Sequence, residues 1–275
     1  MRHAAISILA VAILATGCSK SASEQASEQL AEAQTAYEAG DYAKALALIE
    51  NLDSTYRAEV DVRRQAMHLK PQIIERQTLE ELSITDSLVV LAQLRGDSIS
   101  KTMRYVSNPV EGYYVSTTEP KDINATTGLY ARMSPDGHFY IVATNTCDTC
   151  GGKSYAIRVS ANGRTAETSH LPDDGERIDR SGKAEVLTFM QSECDSVGKL
   201  ISQHKGVTMS FSFIGNGAPQ NIEISGAQSQ ALGEVYDAAE MVREMKLLQI
   251  RKARLEKTLT TARNQAARTF QDSIK

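Results

Sequence analysis

The C-terminal segment constrains the fold of this chain most strongly. Between Ala227 and Phe270 there is no proline and a single glycine, Gly233. The apolar side chains recur there in alternating steps of four and three residues, interrupted once by Lys252. They are Met241, Met245, Leu248, Leu255, Leu259, Ala262 and Ala266. This spacing predicts a long helix over 226–275 with a coiled-coil seam. An apolar seam is not stable alone in water, so the chain must supply a partner helix.

A second helical segment, which ends near Met103, is the expected partner. It starts around Pro71, which is expected in a first helical turn or at a kink, and Asn108-Pro109 ends it. Its apolar positions are Ile73, Ile74, Leu79, Leu82, Leu88, Leu91 and Leu94. If the middle of the chain joins the end of this helix to the start of the C-terminal one, the two are antiparallel. Paired residue numbers then sum to roughly 330. This register brings Glu75, Glu80 and Glu81 close to Arg251, Lys252 and Arg254.

The stretch before these helices has the pattern of a helical hairpin. Small and apolar residues at helical spacing occur on both sides of Gly40-Asp41, which supply a left-handed helix stop and the cap of the next helix. The pattern Ala-x-x-x-Tyr-x-x-Gly-Asp-Tyr-x-x-Ala-Leu resembles a tetratricopeptide-repeat hairpin over residues 30–53. Two interpretations are open: a hairpin packed on its own neighbours, or a peptide-binding adaptor with a groove beside Tyr37 and Tyr42. Together with 55–69, which is helical by composition, a helical region over 30–105 is predicted.

The middle of the chain, residues 110–225, changes from helical to alternating periodicity. Tight turns are predicted at Ser134–Gly137 and at Ala161–Gly163. Eight strands are predicted at 113–116, 129–133, 138–142, 155–159, 165–168, 185–189, 207–213 and 221–225, with a short helix at 196–203. The predicted fold class is therefore α+β. An N-terminal helical hairpin and a long helix pair with a long C-terminal helix as an antiparallel coiled coil, and a mostly antiparallel β domain is inserted between them.

The first residues have the layout of a secretory signal. Arg2 and His3 precede an apolar run from Ala4 to Leu14, which is too short for an ordinary membrane span. The run ends at Ala15-Thr16-Gly17-Cys18, which resembles the lipobox of Gram-negative bacterial lipoproteins. This resemblance implies removal of residues 1–17, lipidation of Cys18 and a stable membrane anchor. It also implies a location in the cell envelope, with Ser19 after the cysteine resembling the outer-membrane sorting pattern. Residues 18–29 are small and polar and are predicted to form a flexible tether.

The charge balance limits the classes of partner. The formal net charge of the chain is −4, so general nucleic-acid binding is not expected. The expected partners are the membrane, through the lipid anchor, and an envelope protein or glycan. The segment Gly128–Arg132 resembles a stretch found in uncharacterised Gram-negative lipoproteins, and this resemblance implies no activity.

Cys147-Asp148-Thr149-Cys150 is the sharpest local motif for chemistry. A redox pair of thioredoxin type is expected where a strand meets a helix, whereas here a Gly-Gly and a strand follow. Zinc would need four ligands, for which only Cys194 with His138 or His170 could be added. In an oxidising compartment, a disulfide between Cys147 and Cys150 with a spare thiol is favoured over metal, redox catalysis or free thiols. No cofactor and no metal site are expected.

Other motifs are weaker. Ser196-Val197-Gly198-Lys199 matches the Ser-x-x-Lys of penicillin-binding proteins, but the accompanying motifs are absent and chance with helix capping is favoured. The acidic run Asp173–Glu176 lacks the ligand spacing of an EF-hand loop and is predicted to be a solvated turn. The histidines His68, His138, His170 and His204 are scattered along the chain. No catalytic constellation is recognised, so a non-enzymatic protein is predicted.

Asp followed by Ser and then a small or apolar residue is over-represented in this chain. The five serines in this context are Ser54, Ser87, Ser98, Ser196 and Ser273. The pattern resembles an acceptor motif for O-glycosylation of exported proteins in some Gram-negative bacteria. Helix capping by Asp or Ser is the alternative explanation.

These observations predict an anchored binding or scaffolding protein of the cell envelope, on its periplasmic or surface face. Two alternatives remain at this point. One is a periplasmic thiol-redox or metal-binding protein that uses Cys147 and Cys150. The other is the tetratricopeptide-like adaptor for peptides.

Overall fold

A computed structural model describes residues 20–109, 111–119, 126–146, 153–180, 184–216 and 221–273. The described part has the predicted α+β fold. Its helices are α1 (Ala22–Glu38), α2 (Tyr42–Thr55), α3 (Val60–Ser100), α4 (Asp195–Gln203) and α5 (Gly226–Ser273). Its strands are β1 (Met103–Val106), β2 (Tyr113–Ser116), β3 (Gly128–Met133), β4 (Phe139–Thr146), β5 (Ser154–Ala161), β6 (Arg164–Glu167), β7 (Ile178–Asp179), β8 (Ala184–Met190), β9 (Met209–Gly215) and β10 (Ile222–Ile224). None of the described helices has the length and hydropathy needed to cross a bilayer.

The chain divides into two compact units. One comprises the described residues up to Ser83 together with those from Arg254 onward, and the other is Ile84–Ala253. Both boundaries fall inside long helices, α3 and α5, so each unit contains part of each helix.

The prediction of a flexible tether over 18–29 was wrong for residues 22–29, which form the first half of α1. Ser21 caps this helix by accepting a hydrogen bond from the Glu24 backbone N–H, and the Glu24 side chain accepts one from the Ser21 N–H. This capping box satisfies two backbone donors at the helix start. Ala26 is fully buried, so even the early turns of α1 are packed.

The predicted hairpin is confirmed as α1 and α2. Gly40 adopts φ +80° at the helix stop, and the Asp41 side chain accepts a hydrogen bond from the Lys44 backbone N–H as the cap of α2. The hairpin shares an apolar cluster with the first half of α3, including Ala66 and Ile73. Pro71 lies inside α3, which is one helix from Val60 to Ser100 rather than two segments.

The predicted pairing of α3 with α5 is confirmed, but its register was wrong. Glu75 binds Arg263 at 2.8 Å, and Lys252 binds Asp86 at 2.7 Å. Both pairs lie about two helical turns from the partners predicted. The predicted α5 seam is correct: from Met245 to Ala266 its positions are buried or half-buried, Lys252 included, while the side chains between them are exposed.

The seam of α3 differs from the predicted set of apolar positions. Leu79, Leu91 and Leu94 are exposed. The small residues Thr78, Thr85 and Ala92 are buried in their place, at steps of seven. Choosing the contact face of α3 by hydrophobicity alone gave the wrong face, because small side chains are favoured where two helices approach each other most closely.

The β domain contains two antiparallel sheets. The strand orders are β1-β2-β3-β4-β8-β7 and β10-β9-β5-β6. All eight predicted strands and the helix α4 are present. The short strands β1 and β7 were not predicted, and β1 replaces the predicted helical end over 103–105.

The C-terminal helix begins at Gly226, as predicted, but its first turns belong to the core of the β domain, which was not predicted. Leu232, Val235 and Ala239 are buried in the same cluster as strands β3, β4 and β5. The Tyr236 ring meets Phe139 edge to face at 5.1 Å. Gly198 of α4 is required beside them, because a Cβ there would lie 2.3 Å from the Tyr236 ring.

Candidate functional site

A buried ion pair is the most unusual feature of the β domain. Arg132 of β3 is 5% exposed, and its Nη1 donates hydrogen bonds to both carboxylate oxygens of Glu119 at 2.7 and 2.9 Å. The Arg132 guanidinium carbon lies 5.1 Å from the centre of the Tyr113 ring and 5.7 Å from that of Tyr130. Aromatic faces stabilise a cation in this position. The arginine is therefore held by both a carboxylate and two rings.

Burial changes the ionisation of the groups around this pair. It raises the pKa of Glu119, and the neighbouring Arg132 opposes that rise. Burial also raises the pKa of Tyr140, the cross-strand neighbour of Arg132, to about 12. The Tyr140 hydroxyl thus keeps its proton at neutral pH. Arg132 supplies the positive charge that favours the ionised form of Glu119.

A cavity of about 310 Å³ lies next to the ion pair. The residues that line it are Thr118, Glu119, Thr126, Leu129, Tyr130, Ser225, Ala227, Gln228, Ala231 and Leu232. They provide one carboxylate, several hydroxyl groups, one amide and an apolar part formed by Leu129, Ala231 and Leu232. A small cavity with a few polar groups and an apolar surface is the usual form of a ligand site.

Local hydrogen bonds hold the polar groups of this cavity. The Tyr130 hydroxyl donates to the Thr126 carbonyl oxygen at 3.1 Å. On the other side, the Ser225 backbone N–H donates to the Gln228 side-chain oxygen at 2.9 Å, and Ser225 Oγ accepts from the Gln228 N–H at 3.3 Å. These bonds cap α5 and engage the amide oxygen of Gln228 rather than its nitrogen. The cavity is therefore bordered by side chains in defined positions.

The predicted groove of a peptide adaptor is not found at Tyr42. This residue is only 9% exposed, and its hydroxyl donates to Glu80 Oε1 at 2.6 Å. A different cavity, of about 620 Å³, lies in the same unit and is lined by residues of α2, of the start of α3 and by Arg57 between them. It contains the ion pairs Glu50–Lys70 and Asp53–Arg63.

The Ser-x-x-Lys motif does not form an activated nucleophile. Ser196 and Lys199 line an open cavity of about 720 Å³ in the β-domain unit, together with His138. The Ser196 hydroxyl donates to the carbonyl oxygen of Glu167 at 2.8 Å. A catalytic serine would instead donate to a general base, so this arrangement favours chance occurrence of the motif.

The predicted cysteine sites Cys18, Cys147 and Cys150 lie outside the described residues. Cys194 is a free thiol with no exposed surface. Its sulfur donates to the Phe189 carbonyl oxygen at 3.3 Å, and burial raises its pKa to about 12. A thiol in this environment is protonated and unreactive.

The structure shows how the acidic turn at Asp173 is neutralised. Arg180 and Lys153 both bind the Asp173 carboxylate, and these hydrogen bonds, that of Arg180 foremost, lower its pKa. Arg180 also binds the buried Glu185 at 2.8 Å. Within the described ranges, no three or more His, Cys, Asp or Glu residues are grouped so that they could hold a metal ion.

The four described serines of the Asp-Ser motif are exposed: Ser54, Ser87, Ser98 and Ser196. Helix capping does not explain these motifs. Ser54 is in the last turn of α2, Ser87 and Ser98 are inside α3, and the residue at the cap of α4 is Cys194. The side chain of Ser273 lies outside the described residues.

Comparison with known proteins adds no family assignment: no protein-family model matches the chain, and no curated protein is detectably similar to it. The function must therefore be argued from the geometry. Of the cavity residues, the sequence patterns drew attention only to Leu129 and Tyr130, as part of the segment Gly128–Arg132, and indicated no function for them. The sequence does contain one sign of the ion pair, because Arg132 interrupts an otherwise apolar and aromatic strand. Its partner Glu119 lies outside that strand, so the pairing could not be predicted from the strand alone.

Proposed function

We propose that the protein is a non-enzymatic binding lipoprotein of the cell envelope and that the cavity beside Glu119 is its ligand site. The observation that carries this proposal is the cavity of about 310 Å³ bordered by a buried carboxylate. Glu119 stays in place through Arg132 rather than through a ligand, so the site is formed before anything binds. Preformed sites lose less entropy on binding.

The side chains that line the cavity favour a short neutral or amino sugar as the ligand. A carboxylate accepts hydrogen bonds from sugar hydroxyls, and Thr118, Thr126 and Ser225 can both donate and accept. Tyr130, Leu129 and Leu232 offer apolar surface to the C–H groups of a sugar ring. An acidic ligand would be repelled by Glu119. This is the glycan class of partner expected for an envelope protein.

The membrane anchor is the other half of the proposal. Acylation of Cys18 would hold the protein in the cell envelope, with the outer membrane as the expected location. Attachment through acyl chains needs no membrane-spanning helix. The α3–α5 pair and the β domain would then act as scaffold and binding domain.

A pair of matched variants tests the binding site. Ala227 lines the cavity and is exposed, so Ala227→Phe should obstruct the cavity without disturbing a packed core. Ala253 is exposed on the same helix outside the cavity, and Ala253→Phe is the control. The full chain in a sugar-free polyoxyethylene detergent is titrated with maltose, cellobiose and N-acetylglucosamine disaccharide by calorimetry and by NMR.

We expect saturable binding of at least one disaccharide. Ala227→Phe should weaken it by about tenfold or more, corresponding to about 1.4 kcal/mol, and Ala253→Phe should leave it unchanged. No binding across the panel, or equal effects of the two variants, would exclude the site. Release of monosaccharides during the titration would show an enzyme instead.

A further inference from the structure

The β-domain unit has large apolar side chains in water on its two long helices. Ile84, Leu91 and Leu94 of α3 and Leu247 of α5 are between 54% and 63% exposed. They are called here the apolar stripe. All four belong to the Ile84–Ala253 unit, so their exposure is a property of one compact body.

The four side chains lie on one side of the helix pair. Ile84 and Leu91 are two turns apart, and Leu94 is one turn further along α3. Arg95 lies one turn from Leu91, Glu244 lies one turn from Leu247, and these two charged residues bind each other at 2.8 Å. This ion pair across the helices places Leu91 and Leu247 on the same side.

The apolar stripe does not contribute to the pairing of α3 with α5. The contact between these helices uses other positions, among them Thr85 and Ala92, which are fully buried, and Leu248. A helix with a second apolar face, beyond the one already packed, is expected to have a second neighbour. No described residue of this chain covers the stripe.

Charge favours a second copy of the chain as that neighbour. From Leu82 to Leu94 the sequence carries one ionisable side chain, Asp86, and Lys252 neutralises it. Close to the axis of a two-fold contact each residue faces its own copy, so a charge there would meet a charge of the same sign and a neutral centre favours self-association. A strongly charged partner protein would instead require charges of the opposite sign on the stripe, and the four side chains of the stripe are apolar.

The size of the stripe also fits a dimer. Two copies would bury roughly 500 Å² of apolar side-chain surface, taking about 100 Å² for a fully exposed leucine or isoleucine. With polar residues at their usual share of an interface, the total is roughly 900 Å², which is the size of a weak, transient contact. This predicts a dimer whose population depends on concentration.

We propose that the apolar stripe is the interface between two copies of this chain. The two α3–α5 pairs would pack side by side as a four-helix arrangement with two-fold symmetry. Leu91 lies near the centre of the stripe, and Leu94 and Leu247 surround it.

The test uses two differently tagged full chains that are expressed together and extracted in polyoxyethylene detergent. Wild-type chains should capture each other, and sedimentation should show a dimer at high protein concentration. Leu91→Glu and Leu94→Glu should each reduce capture at least tenfold, because the charge would be buried in the interface. Gln93→Glu is the matched control, since Gln93 is exposed on the same helix outside the stripe. It should reduce capture less than twofold.

Circular dichroism of each variant shows whether its fold is intact, and the exposed positions are expected to tolerate the change. A wild-type chain that remains monomeric, or equal effects of Leu91→Glu and Gln93→Glu, would overturn the proposal. So would binding of the stripe to phosphatidylethanolamine vesicles that Leu91→Glu abolishes while the chain stays monomeric. A glycan found on Ser87, one turn from Leu91, would also overturn it, because the glycan would cover the stripe. None of these results depends on the sugar site.

Discussion

At the scale of single residues, Arg132 determines the properties of the candidate site. Its charge is buried, and Glu119 is its ionic partner, with a side chain that is 8% exposed. Breaking a buried pair by removing one partner is more costly than losing an exposed one, because the remaining charge has no solvent to stabilise it. The pair is therefore a sensitive probe of the β domain.

Arg132→Leu should destabilise the protein in a pH-dependent way. Burial raises the pKa of Glu119 and Arg132 lowers it, so the variant loses the lowering effect and the pKa rises further. A carboxyl group whose pKa is higher in the folded state favours folding when it is protonated. This contribution is lost as the pH rises from the unfolded pKa, about 4.5, through the raised folded value. We expect a loss of about 3 kcal/mol at pH 7.5 and a smaller loss at pH 5, measured by urea unfolding.

The double variant Arg132→Leu with Glu119→Gln serves as the control, because its side chains at these positions do not ionise. Its loss of stability relative to the wild type should not grow from pH 5 to pH 7.5, because it has no carboxyl group at this position to ionise. If Arg132→Leu alone also shows equal losses at pH 5 and pH 7.5, the buried carboxylate does not titrate as proposed.

Residue patterns in the sequence predicted turns and caps better than the candidate site. Gly40 and Asp41 were predicted because their local chemistry requires few neighbours. Arg132 and Glu119 could not be paired, because their contact depends on how the turn after β2 is placed beside β3. Burial of a charged residue can be predicted only when the residue that neutralises its charge is known.

At the scale of elements, the long helices show what periodicity can and cannot predict. The seam of α5 was correct in its step and in its positions, Lys252 included. The seam of α3 was not, because the buried positions Thr78, Thr85 and Ala92 are small or polar while Leu91 and Leu94 face water. The register between the two helices depends on both seams. Because the α3 seam was wrong, the predicted register differs from the observed one.

A charge exchange tests the observed register. Asp86→Lys and Lys252→Asp should each destabilise the helix pair, and the double variant should recover a coupling energy of about 0.5 kcal/mol, which is typical of exposed ion pairs. The two side chains are 53% and 41% exposed, so the effect is small. Thermal unfolding at low salt is the measurement, because salt screens such pairs.

Asp97→Lys combined with Lys252→Asp is the control cycle. Asp97 is exposed on α3 three turns from Asp86, beyond one Debye length at about 0.1 M salt. This control cycle should therefore show no coupling energy between Asp97 and Lys252. Equal coupling in the two cycles would mean that general electrostatics, and not the observed register, causes the effect.

At the scale of the whole molecule, the order of helical and β regions was predictable. The change from helical to alternating periodicity and back follows directly from the sequence. The C-terminal helix starts at residue 226 as predicted, but its packing on the sheets was not predicted, because α5 contributes to two different contacts. Its first turns are apolar on the face that packs on the sheets, and a seam for α3 follows without a break, so no composition change separates the two.

Acylation of Cys18 should govern the location of the whole protein. Labelling of cells with an alkyne fatty acid should mark the wild-type chain in the membrane fraction and leave Cys18→Ala unmarked. Cys194→Ala is the control and should be labelled normally, since Cys194 is buried. Unlabelled wild-type protein in the cytoplasm would contradict both the anchor and the envelope location. The intact mass of the same sample also shows whether the exposed Asp-Ser motifs, such as Ser54, carry glycans.

The contact between Glu75 and Arg263 joins positions 188 residues apart. The unit that contains Glu75 begins with the earliest described residues and is completed by those from Arg254 onward. During synthesis, this unit can therefore be completed only after the last part of the chain has been made. Contacts between residues far apart in the sequence slow folding. Chaperones that bind the nascent chain would therefore matter most for α1 to α3.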